Sequence, residues 1–111
     1  MGLSTHILDI ALGRPAANVP LSLSQLIDNA WQQIGSAQTD ADGRCKTLLD
    51  NLPLEETTYE LTFMTAPYFE VQQIASLYPY VKIVFTVTDP AVHYHIPLLI
   101  SANGYSTYRG S

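Results

Sequence analysis

A chain of 111 residues, 47% of them hydrophobic, has room for one core and a globular rather than a disordered composition. Its net charge of −5, with five Lys+Arg in all, leaves no basic face for nucleic acid or for an anionic membrane surface. The lone cysteine, Cys45, excludes an intrachain disulfide, so packing alone must hold the core, which suits a reducing compartment.

The opening stretch, MGLSTHILDI, lacks the basic-then-apolar pattern of a secretory leader. N-myristoylation at Gly2 would need Ser or Thr where His6 stands. No apolar run approaches transmembrane length, and the expected location is the cytoplasm.

Short pieces of period-2 alternation dominate the chain. Leu3 to Ile10 is the first predicted strand, and GRPAANVP, with Gly13 and Pro15, is a loop. Val19 to Gln25 follows, with Val19, Leu21 and Leu23 on one face; Asp28-Asn29 marks a turn, and Trp31 to Gln38 is a third strand. TDADGR reads as a turn, Thr47 to Leu49 as a short strand, NLPLEETT as a loop and Tyr59 to Thr65 as a strand. The period then changes. Phe69, Gln73 and Leu77 recur at i, i+4 and i+8, widened by Val71 and Ile74, which predicts one short helix ending before Pro79. Val81 to Val87, His95 to Ser101 and Tyr105 onward are strands, the last two joined by an Asn103-Gly104 hairpin turn. About eight short strands and one helix predict an all-β sandwich.

The polar residues on these strands are the candidates for chemistry. His6 shares a strand face with Ser4, Leu8 and Ile10, and His93 shares one with His95. Histidines in strands commonly serve structure. The His-x-His pair has a sharper reading: with His6 it could form an open three-histidine zinc site that activates water, although no cysteine or carboxylate cluster joins it. Arg44 and Arg109 are ordinary solvated charges unless they line a pocket, where the planar guanidinium suits an anion or a planar, carbonyl-rich ligand. Asp40 and Asp42 read as turn formers, and Ser111 carries both a hydroxyl and the terminal carboxylate. There is no nucleophile elbow, Gly-rich phosphate loop or Cys–His pair. Taken alone, these residues identify no substrate.

The terminal HYHIPLLISANGYSTYRGS closely resembles the end of the 5-hydroxyisourate hydrolases, transthyretin-related enzymes of purine breakdown whose hallmark is YRGS. LSTHILDIALGRPA resembles the family's first strand and loop, TDADGR its central motif, and YFEVQQIASLYPYVKIVF its helix-to-strand passage. One departure, SAN where relatives commonly carry Ser-Pro and an aromatic, falls in the hairpin turn.

The resemblance implies a single transthyretin-like domain over residues 1–111, a sandwich of two four-stranded sheets with one short helix. It implies a homotetramer, a dimer of dimers, with active sites in the channel between dimers. The family's site maps onto His6, Arg44, His95 and the tail residues Tyr108, Arg109, Gly110 and Ser111, with His93 outside the core set. Transthyretin itself shares the fold but typically lacks this combination. The implied reaction is hydrolysis of 5-hydroxyisourate to 2-oxo-4-hydroxy-4-carboxy-5-ureidoimidazoline, with no cofactor and no metal. His6 and His95 would handle the water, Arg44 the ring oxygens, Ser111 proton transfer or water placement, and Tyr108 ligand packing. A channel that binds small aromatic ligands without catalysis and a zinc hydrolase built on His-x-His are the alternatives. Strand parity adds a condition: Tyr108 and Ser111 face opposite sides of a regular strand, so the strand must end or bulge if both line the site.

Overall fold

The computed structural model describes residues 2–48 and 53–111. Its first sheet is built on β1 (Gly2–Asp9) and β8 (His93–Ser101), which run parallel from the pair Gly2–His93 to the pair Asp9–Ile100. On the far side of β8, β9 (Gly104–Thr107) returns antiparallel. On the other flank of β1 lie two strands of two residues each, β2 (Arg14–Pro15) and β5 (Arg44–Cys45). The second sheet is antiparallel in the order β4 (Ala30–Gln38), β3 (Pro20–Ile27), β6 (Thr58–Phe63), β7 (Val81–Thr86). A short helix, α1 (Ala66–Val71), links β6 to β7.

The architecture is the all-β sandwich that the alternation predicts, but the first sheet has five strands rather than four. Part of the difference comes from Arg14–Pro15, which pairs with Leu8 and Asp9 from inside the expected loop. The rest comes from the turn TDADGR, which docks Arg44–Cys45 against Thr5 and His6. The strand expected at Thr47–Leu49 is not seen at Thr47 or Leu48, and Leu49 lies outside the described residues, as do Asn51 and Leu52 of the expected loop.

The helix is also shorter than its stripe suggests. Pro67 stands in its first turn, where the missing N–H costs nothing. Gln73 takes a left-handed φ of 61°, its N–H bonds Glu70 O, and the Ile74 N–H bonds Phe69 O, a Schellman-type stop. Only Phe69 of the stripe is buried; Val71 is 85% exposed and Leu77 65%.

Period 2 divides the first sheet into two chemically distinct faces. Leu3, Thr5 and Ile7 of β1 and Tyr94, Ile96, Leu98 and Ile100 of β8 are buried in the sandwich, whose other wall is Leu21 and Leu23 of β3 and Tyr59, Leu61 and Phe63 of β6. Buried Asp9 is satisfied there: its carboxylate accepts the Ala11 and Leu12 N–H groups at 3.0 Å and the Tyr68 hydroxyl at 2.8 Å. The opposite face of the sheet carries Ser4 and His6 from β1, and His93 and His95 from β8. Among the described residues no helix is long and apolar enough to cross a membrane.

Candidate active site

Three strands meet on that second face. The parallel register of β1 and β8 sets Ser4 opposite His95 and His6 opposite Pro97. The antiparallel register of β5 sets Arg44 opposite His6. His6 therefore has a guanidinium on one flank and, diagonally across the next strand, the His95 imidazole on the other.

Arg44 owes its position to the turn before it. The Asp40 carboxylate accepts the backbone N–H groups of Asp42 at 2.9 Å and Arg44 at 3.0 Å. The bond from the Arg44 amide, chiefly, holds Asp40 below its ordinary pKa against some desolvation. Gly43 has a left-handed φ of 73°, and its carbonyl accepts the Ile7 N–H at 2.8 Å. A β-carbon at Gly43 would come within 2.5 Å of the Ile7 carbonyl oxygen, so only glycine lets the turn dock on β1.

His6 is half-buried, and its Nε2 is fully buried with no hydrogen-bond partner among the described residues. An unpaired buried polar atom is costly and rare. With Pro15, Asp42, Arg44 and Lys46, His6 lines an open concavity of about 500 Å³. A polar planar ligand there would lie beside the His6 imidazole and meet two cationic side chains.

His95 is held from two directions. Its Nδ1 lies 2.8 Å from Ser4 Oγ, and the same oxygen lies 2.8 Å from His93 Nε2. Its carbonyl accepts the Gly110 N–H at 2.9 Å, forming an isolated bridge. A β-carbon at Gly110 would collide with His95 Cδ2 and lie 3.2 Å from Pro97 Cγ. The glycine of YRGS thus lets the chain end cross the edge of the imidazole. Burial first, then the His6 and His93 imidazoles and Arg44, push the His95 pKa below the ordinary 6.5, opposed by hydrogen bonding with the Ser4 backbone. The charged form of His95 is thereby disfavoured, which suits an imidazole that accepts a proton.

The tail residues divide. The strand ends at Thr107, and equal numbers of residues separate the pair Leu98–Thr107 from the bridge His95–Gly110, so the ladder resumes without a bulge. Arg109 turns toward the sandwich and stacks its guanidinium 4.7 Å over the Tyr94 ring. Tyr108 and Arg109 line a separate concavity of about 280 Å³ with Ile83, Phe85 and Tyr94. Ser111 is exposed, and Tyr108 is 57% exposed. Within one chain, then, His6, Arg44, His95 and Gly110 come together, whereas Tyr108, Arg109 and Ser111 do not join the His6–Arg44 concavity. Among the described residues, no three or more of His, Cys, Asp and Glu are grouped to hold a metal ion. Ser4 is the residue that sequence reasoning leaves unassigned. Its only signal is a shared face with His6, because its partners lie about ninety positions away on β8.

The two-sheet sandwich with its short helix is that of a transthyretin-like protein. The HIUase/Transthyretin family model matches residues 3–110, and the chain belongs to this family. It is 42% identical over 111 residues to the 5-hydroxyisourate hydrolase of Mus musculus, covering 98% of this chain and 94% of that protein. Among solved structures it is similar to the 5-hydroxyisourate hydrolase of Klebsiella pneumoniae, with 38% identity, a TM-score of 0.85 and coverage of 98% and 92% of the two chains. It is also similar to sea bream transthyretin in complex with thyroxine, with 32% identity, a TM-score of 0.90 and coverage of 97% and 93%. Backbone shape alone does not separate a hydrolase from a thyroxine-binding protein.

The depressed His95 pKa has a definite sign. The unfolded chain takes up this proton more readily than the folded one, so stability is lost as pH falls below the ordinary 6.5 and on through the lower folded value. Titration of the His95 imidazole by NMR should give a midpoint below 6.5, and a midpoint at or above that value would contradict the electrostatics described.

Proposed function

We propose that this chain hydrolyses 5-hydroxyisourate to 2-oxo-4-hydroxy-4-carboxy-5-ureidoimidazoline. One observation carries the reading: His6 and Arg44, paired in register, line one concavity on the sheet face that also carries His95. Curated relatives named as 5-hydroxyisourate hydrolases, about 40% identical along most of the chain, support it.

The chemistry follows from these groups. Water attacks the lactam carbonyl carbon while a histidine takes its proton. The carbonyl oxygen gains charge, and the Arg44 guanidinium is suited to hold it. Collapse breaks the carbon–nitrogen bond, and the departing ring nitrogen takes a proton back from the histidine. No metal is required in this scheme, and the ring nitrogens through which His93 and His95 face Ser4 are already engaged. Gly110 already borders His95 within the chain, and Tyr108, Arg109 and Ser111 complete the site in a homotetramer, a dimer of dimers, where a chain end can reach across a subunit boundary. A cytoplasmic location suits the lone buried thiol of Cys45. The runner-up is a channel that binds small aromatic ligands without catalysis, favoured by the likeness to a thyroxine-bound transthyretin.

Ultraviolet decay of 5-hydroxyisourate separates these readings. The protein should accelerate decay equally with and without chelator. His6→Ala, Arg44→Ala and His95→Ala should each slow turnover by roughly two or more orders of magnitude, and His93→Ala by much less. No acceleration by the wild-type chain would sink the hydrolytic reading, and a chelator-sensitive activity restored by zinc would replace it with the metal one. Deleting Tyr108 to Ser111 should leave a tetramer by light scattering and abolish turnover. Full activity in that deletion would remove the tail from the site.

A further inference from the structure

Two hydrogen-bond contacts converge on Ser4 Oγ. Ser4 is nearly buried, and its oxygen is shared by two imidazoles: His95, half-buried beside the His6–Arg44 pair, and His93, exposed at the start of β8. A serine hydroxyl has one proton to give and two lone pairs with which to accept. A chain from a buried ring through one hydroxyl to a solvent-facing ring is a path along which a proton can leave.

We propose that Ser4 is a positioning residue that couples His95 to His93 as a proton relay, and that His95, rather than His6, exchanges the reaction's protons with solvent. The proposal rests on the hydrolytic reading above. In the resting state the His95 Nδ1–H donates to Ser4 Oγ and the Ser4 hydroxyl donates to His93 Nε2, which leaves the His95 Nε2 lone pair free. When His95 Nε2 takes a proton from the attacking water, its Nδ1 proton passes to Ser4 Oγ and the Ser4 proton passes to His93 Nε2. The exposed His93 then releases its Nδ1 proton to solvent. His95 now carries its proton on Nε2 and is ready to donate it to the departing ring nitrogen. As it does so, the relay runs backward: His93 Nε2–H returns a proton through Ser4 to His95 Nδ1, and His93 recovers one from solvent at Nδ1. The relay ends as it began, with no proton gained or lost.

The arrangement answers an electrostatic difficulty. A positive charge on His95 is opposed by its burial, by His6 on β1, by His93 on its own strand and by Arg44 on β5. The relay moves that charge to His93, where water solvates it. His6 Nε2 has no partner of this kind among the described residues, which leaves His6 to orient water or substrate.

The relay makes a requirement that a purely structural serine does not. One ring must donate to Ser4 while the other accepts from it. Since His95 uses Nδ1 and His93 uses Nε2, the two neutral rings must be the same tautomer, both Nδ1–H or both Nε2–H. Long-range ¹H–¹⁵N spectra of the wild-type protein read this directly and need no substrate. Matching tautomers are expected; a His95 Nδ1–H together with a His93 Nε2–H, both donating to Ser4, would overturn the relay. In the decay assay, Ser4→Ala should lower kcat by about tenfold or more with little change in KM, part of what acid–base catalysis supplies, and Ser4→Thr should restore most of it. Wild-type kcat in Ser4→Ala would also overturn the proposal. A wild-type protein that fails to accelerate decay would instead overturn the hydrolytic reading, while the tautomer spectra still decide whether Ser4 links the two rings.

Discussion

The parallel pairing of β1 with β8 is the constraint on which the rest of the structure depends. Parallel neighbours cannot be joined by a tight turn, and here the whole second sheet and the helix lie between them in the chain. From the core side, the buried Thr5 hydroxyl donates to the Ile96 carbonyl at 2.6 Å and ties the register. A slip of one residue would expose Leu3 and Ile7 and bury Ser4 and His6, so hydrophobic burial itself rejects the alternative. The register that closes the core is the register that sets Ser4 opposite His95. Core packing and site geometry are therefore one event, and a rigid pair of strands rather than a loop holds the imidazoles.

Much of this architecture is legible in the sequence because alternation reports burial directly. Asp28 and Asn29 are a turn in the structure as in the sequence, with left-handed φ values of 51° and 64° that these side chains tolerate. The run Val81 to Val87 differs from β7 by one residue at its end. What escapes is whatever pairing alone decides. Arg14–Pro15 and Arg44–Cys45 are too short to show a period and are strands only because β1 offers them an edge. The stripe from Phe69 to Leu77 has helical spacing, but Gln73 ends the helix in a conformation usually taken by glycine, and nothing in its identity signals that.

The site divides along the same line. Period 2 by itself places His6 with Ser4, and His93 with His95. The registers that bring Arg44 to His6 and His95 to Ser4 join residues far apart in sequence, and no local pattern reports them. The family resemblance supplies the site set, and the structure supplies reasons for some of its members. Gly110 is a glycine because His95 leaves no room for a β-carbon, and Gly43 because the Ile7 carbonyl does not. The close backbone likeness to a thyroxine-bound transthyretin means that function on this fold rests on side chains.

The central claim is that the face bearing His6, Arg44 and His95 receives a planar, oxygen-rich ring. A crystal structure of the assembled protein with a non-hydrolysable purine-dione analogue tests it most directly. The account predicts the ring oxygens on the Arg44 guanidinium, the ring edge against the His6 imidazole, and the His95 imidazole over the carbonyl carbon. An analogue seated only in the concavity of Ile83, Phe85 and Tyr94, with the histidine face empty, would contradict it.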